Sequence, residues 1–134
     1  FSFNMKKSPV VHFEMPYKDA KRVSKFYSGV FGWGMNDAGA NMGNYVLAYT
    51  AETDKNMMVK TPGTINGGFY KWVKKSKEPS VVISVENLKK SMVAVKGAGG
   101  KLLGKPQDIP GIGKWVSFRD TEGNRVSILE PLSM

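Results

Sequence analysis

The sequence predicts an α+β fold built from two tandem βαβββ modules, whose mixed β-sheets cup around a cavity. Three observations carry that prediction. The hydrophobic pattern runs from strand spacing to helical spacing and back to strands, and then restarts. Each helical stripe has an Asx residue before it, Asp19 or Asn87, and a glycine stop after it. Sliding the chain by 68 positions aligns Asp19 with Asn87, Lys21 with Lys89, Gly29 with Gly97 and Gly32 with Gly100. Weak identity at consistent positions is how an internal duplication reads. Two such units, each with one exposed sheet face, bury those faces by packing or joining, and clefts of that kind are common ligand sites.

Element by element, Ser8–Met15 is an apolar run of β-forming residues that Pro16-Tyr17-Lys18-Asp19 breaks. Ala20, Val23, Phe26, Tyr27, Val30 and Phe31 fall at helical spacing, so Asp19–Phe31 is an amphipathic helix ended by Gly32. Short strands are expected at Asn44–Tyr49, Asn56–Lys60 and Gly67–Val73. In the second module Pro79–Val85 is a strand, and Leu88, Met92, Val95 and Ala98 form the next helical stripe, stopping at Gly97–Gly100. Strands near Lys101–Leu103, Lys114–Arg119 and Arg125–Leu129 complete the set, with the turn Asp120–Asn124 between the last two.

The 134 residues suit a single domain over 8–134, with module one at 8–75, module two at 78–134 and an N-terminal leader at 1–7. Met5-Lys6-Lys7 reads as a natural start. With no cysteine there are no disulfides, thiolate metal sites or thiol nucleophiles. No apolar run is long enough for a membrane span and no secretory signal is visible, which makes the cytoplasm the expected location. The net charge of +9 comes almost wholly from lysines spread along the chain, with one cluster at Lys71–Lys77. Only Arg22, Arg119 and Arg125 offer the forked donor favoured at base edges and phosphates, so a solvated lysine-rich surface is the reading and a nucleic-acid partner is not expected. A basic cleft remains compatible with an anionic small molecule.

The segments HFEMPYKDAKRVSKFYSGVFGW, INGGFYKW, SVVISVENL, GAGGKLL and IPGIGKWVSFRDTEGNRVSILEP, in that order, carry a resemblance over about residues 9–131. They resemble the vicinal-oxygen-chelate superfamily, the glyoxalase/bleomycin-resistance/dioxygenase family, and within it the uncharacterised glyoxalase-related branch. The D-x-x-G-N turn, followed by a strand and Glu-Pro, is the most specific part. The resemblance implies paired modules, commonly homodimeric, whose cupped sheets surround a ligand cavity. In metal-bearing members a divalent ion is held from the first and last strands of each module.

Carried over residue by residue, the first of those positions is His12, the only histidine. Its counterpart under the offset is Ser80; the last strand of module two offers Ser127, and that of module one Gly68 or Phe69. A catalytic zinc needs about three protein donors, and serine hydroxyls are poor ones. Glu14 shares a strand face with His12, whereas Glu130, three residues beyond Ser127, falls on the opposite face of a regular strand. The expected ligand pocket is therefore His12, Glu14, Ser80, Phe69, Trp115 and Ser127, with no cofactor and no complete metal site. His12 reads either as a cleft base or hydrogen-bonding group, or as a structural wall residue. Trp33, Tyr45, Phe69, Trp72 and Trp115 are available as aromatic walls or as core and dimer-interface residues. The expected function is binding of a small organic molecule in the cupped sheet, as a homodimer. The alternative is a divalent-metal-dependent lyase, isomerase or dioxygenase that uses His12 as a ligand, with Glu14 or Glu130. Whether the chain is an enzyme stays open at this point.

Overall fold

The computed structural model describes residues 6–56 and 58–132. In chain order the elements are β1 (Val10–Tyr17), α1 (Ala20–Phe31), β2 (Gly34–Asp37), β3 (Val46–Tyr49), β4 (Asn66–Lys71), β5 (Ser80–Ser84), α2 (Leu88–Gly97), β6 (Lys101–Ile109), β7 (Gly113–Arg119) and β8 (Arg125–Pro131). The chain divides into two compact units. One is His12–Ser80, and the other joins the residues up to Val11 to those from Val81 onward. Of the leader expected at 1–7, residues 1–5 lie outside the described residues.

In the first unit the strands lie in the order β2-β3-β4-β1, with β1 parallel to β4 and the other pairs antiparallel. In the second the order is β6-β7-β8-β5, with β5 parallel to β8 and the other pairs antiparallel. The connectivity is the same in both, so the repeat in the sequence is a repeat of topology.

The helix starts follow the Asx residues. Asp19 accepts the Arg22 N–H at 2.9 Å and Asn87 accepts the Lys90 N–H at 2.9 Å, each satisfying an orphan donor of the first turn. Gly32 closes α1 in the left-handed conformation, at φ 71°, with its N–H on the Ser28 carbonyl. One helix covers one face of each sheet. Phe13, Met15, Val23, Tyr27 and Trp33 pack around buried Tyr17, Val46, Ala48 and Phe69 beneath α1. Met92, Val95 and Leu102 pack around Val85, Leu88, Val116, Phe118 and Ile128 beneath α2. Removing these surfaces from water drives both cores.

Three expectations are corrected. β1 runs through Pro16 to Tyr17, because its parallel pairing with β4 continues to Tyr17 beside Lys71 and the Tyr17 carbonyl accepts the Trp72 N–H at 2.8 Å. Of the strand expected at Asn56–Lys60, the described residues, 56 and 58–60, form no strand. Asp54 accepts the Asn56 and Met58 N–H groups at 2.8 and 3.1 Å, and only an isolated bridge joins Thr53 to Val59. A side chain that satisfies nearby backbone offers it an alternative to the ladder. The strand that completes the first unit is β2, whose Gly-Met-Asn-Asp composition hides it. Finally, β6 extends past Leu103 to Ile109 through an irregularity between Leu103 and Gln107.

Candidate functional site

Strand alternation divides β1 between two environments. Phe13, Met15 and Tyr17 face α1, whereas His12 and Glu14 face the helix-free side of the first unit's sheet. The neighbouring strand β4 is built to match. Its register sets Gly67 beside Phe13 and Gly68 beside Glu14. A Cβ on Gly67 would stand in the Phe13 ring, and one on Gly68 would stand against the ring and hydroxyl of Tyr45. Neither glycine has a left-handed backbone, so what each supplies is space. Gly68 lets the Tyr45 ring lie flat across β4, and the phenol reaches the space between His12 and Glu14.

There the Tyr45 hydroxyl meets His12 Nε2 at 2.9 Å, the two rings lying 21° apart in plane. Burial pushes the His12 imidazole down to a pKa of about 4, so the ring is neutral at pH 7. Burial also pushes the Tyr45 phenol up, and the charge of Glu14, its hydrogen bond to the phenol and the nearby Tyr70 raise it further. The result is a half-buried chain of histidine, phenol and carboxyl group on one sheet face. It can hydrogen-bond a ligand and position its atoms.

Phe69, expected in the pocket wall, is instead in the core on the opposite face. It is 1% exposed and its ring centroid lies 5.1 Å from that of Tyr27. Trp33 is likewise a core residue, stacked on Tyr27 at 4.7 Å. Ser80 is buried at the start of β5 and already partnered. In the second unit Ser127 is buried and its hydroxyl lies 2.8 Å from that of Ser117, which also accepts from Arg125 Nη2 at 3.4 Å. Trp115 shares the Ser117 face of β7 and is half-buried. Glu130 faces the helix, as alternation requires, and its Oε1 accepts the Leu88 N–H at 2.8 Å.

Tyr45 is the residue whose role sequence reasoning missed, having placed it only among aromatic walls. The one available signal was the glycine pair inside a strand, which marks close approach by something else. It does not say by what.

The family model of the Glyoxalase/Bleomycin resistance protein/Dioxygenase superfamily matches residues 10–128. The chain belongs to that superfamily. It is similar to a glyoxylase-like domain-containing protein of Didymella fabae, 33% identical over 123 residues, covering 86% of this chain and 88% of that protein. Among solved structures it resembles a methylmalonyl-CoA epimerase variant of Streptomyces coelicolor in complex with 2-nitronate-propionyl-CoA, with TM-score 0.67, 8% identity, and coverage of 92% of this chain and 97% of that one. It also resembles the methylmalonyl-CoA epimerase of Mycobacterium tuberculosis, with TM-score 0.66, 13% identity, and coverage of 98% and 95%. A hypothetical protein of Bacillus halodurans matches with TM-score 0.65, 16% identity, and coverage of 96% and 98%. At these identities the structural likeness establishes the fold.

Three of the side chains that the resemblance places near a metal already have protein partners. His12 Nε2 is engaged by Tyr45, Ser127 Oγ by Ser117, and Glu130 by the first turn of α2. Among the described residues no three or more His, Cys, Asp or Glu side chains are grouped to hold an ion. Zinc asks for about three such donors and hard cations for more oxygens.

Proposed function

We propose that this chain binds a small organic molecule at the helix-free face of its first unit, with no metal at His12, and acts as a homodimer, the state the resemblance implies. The observation that supports this is the His12–Tyr45 hydrogen bond. At the position that the resemblance makes the first ligand, one of the two ring nitrogens is engaged by a phenol. The face offers a neutral imidazole, a phenol and a carboxylate beside the Tyr70 ring, a mixture of apolar surface and a few placed polar groups typical of organic-ligand sites. The Streptomyces coelicolor epimerase variant, of the same fold, was solved in complex with 2-nitronate-propionyl-CoA, which supports the reading of an organic ligand.

The test is a titration of the purified chain with small aromatic metabolites and a glycopeptide antibiotic of the bleomycin class, with and without EDTA. Melting temperature, bound metal and chemical fate of the compound are followed together. The expected result is saturable stabilisation by at least one compound, unaffected by chelator, with the compound recovered intact. Stoichiometric bound metal that binding depends on, or multiple-turnover loss of the compound, overturns the reading. Either result favours the metal-dependent lyase, isomerase or dioxygenase.

A further inference from the structure

The Tyr45 hydroxyl carries one proton and stands between two acceptors, the Glu14 carboxylate and the His12 ring. A carboxylate is the stronger acceptor because the bond to it is charge-assisted. The register supports the pairing: Glu14 lies directly beside Gly68, and the Tyr45 hydroxyl lies over Gly68. Neighbouring strands lie about 4.8 Å apart, within reach of a glutamate side chain. If the phenol donates to Glu14, its oxygen faces His12 Nε2 as an acceptor, and the 2.9 Å contact requires the hydrogen to sit on the nitrogen.

We infer that Tyr45 is a positioning residue that fixes His12 as the Nε2–H tautomer, leaving the Nδ1 lone pair as the group offered to a ligand. Among the described residues nothing hydrogen-bonds to His12 Nδ1. The ligand class this selects is a molecule with a hydroxyl or N–H donor at the contact point. An ether or ester oxygen there would meet lone pair against lone pair. This second step rests on the proposed binding role of the face, whereas the tautomer does not.

Because His12 is the only histidine, a long-range proton–nitrogen correlation spectrum of the ¹⁵N-labelled full chain at pH 7 contains a single imidazole. The expected spectrum shows Nε2 protonated and Nδ1 bare. The opposite tautomer, or a ring already doubly protonated, overturns the inference without any variant. Glu14→Ala is then expected to free the phenol's proton for Nε2 and reverse the tautomer, and Tyr45→Phe is expected to give a mixture. A purely structural tyrosine would leave the tautomer unchanged in both. Phenol and anisole serve as matched probes for the ligand class. Phenol is expected to move the Nδ1 resonance and anisole to leave it in place. Movement by both, by anisole alone or by neither overturns the donor assignment, while the spectrum of the unliganded chain decides the tautomer separately.

Discussion

A methyl group on Gly68 would occupy space taken by Tyr45, and one on Gly67 would occupy space taken by Phe13. Gly→Ala inside a strand ordinarily removes a backbone-entropy penalty. Here each substitution meets an aromatic ring and is expected to destabilise the chain by about 1–3 kcal/mol, the range for overpacking. The two differ in what else moves. Gly68→Ala displaces the His12 partner and is expected to shift the His12 nitrogen resonances strongly, whereas Gly67→Ala strains only the α1 side. Urea unfolding together with the imidazole spectrum checks both. A Gly68→Ala chain with unchanged stability and an unchanged histidine would show that Tyr45 does not depend on that space. At this scale legibility was partial. Glu14 could be put on the His12 face because alternation is local. Tyr45 could not be assigned to His12 because 33 residues separate them and no periodicity spans a loop.

At the scale of elements, helices were easier to read than strands. Asp19, Asn87 and Gly32 announce their boundaries through backbone groups a few residues away, so the signal is contained in the segment. β2 is held by pairing with β3 and has no β-forming composition of its own, while Asn56–Lys60 has some but is claimed by the Asp54 turn. The start of α2 draws on a distant element as well. Its Leu88 N–H is satisfied by Glu130 at the end of β8, which adds a negative charge at the helix N-terminus. Glu130→Ala leaves that donor to solvent and is expected to cost about 1 kcal/mol, the usual worth of a lost cap. Ligand binding at His12 is expected to be unchanged. A substantial loss of bound metal or of ligand affinity in Glu130→Ala would instead return Glu130 to the role of metal ligand.

For the whole molecule, the duplication was legible because it repeats order, which survives when identity has faded. The chemistry of the two units was less so: the first carries His12, Tyr45 and Glu14 on its helix-free face, the second Ser117, Ser127 and Arg125. That difference makes the acid response of the whole chain a test of one residue. His12 holds a pKa of about 4 when folded against an ordinary value of 6.5, because burial disfavours the charged ring. Below pH 6.5 the unfolded chain therefore binds a proton that the folded chain refuses, and stability falls as pH drops from 6.5 toward 4. The slope tends to about 1.4 kcal/mol per pH unit, and the half-burial of the ring brings the total loss to about 1–3 kcal/mol. Asp120 and Glu86 have lowered values, held by Asn124 and Lys6, so their contributions are lost only at still lower pH, and that of Lys6, raised by Glu86, only in alkali. Urea unfolding at pH 7 and pH 5 isolates the histidine. The expected outcome is a lower midpoint at pH 5 in the native sequence and a nearly flat response in His12→Gln. Equal midpoints in the native chain would mean that water reaches the ring and that His12 protonates as freely in the folded chain as in the unfolded one.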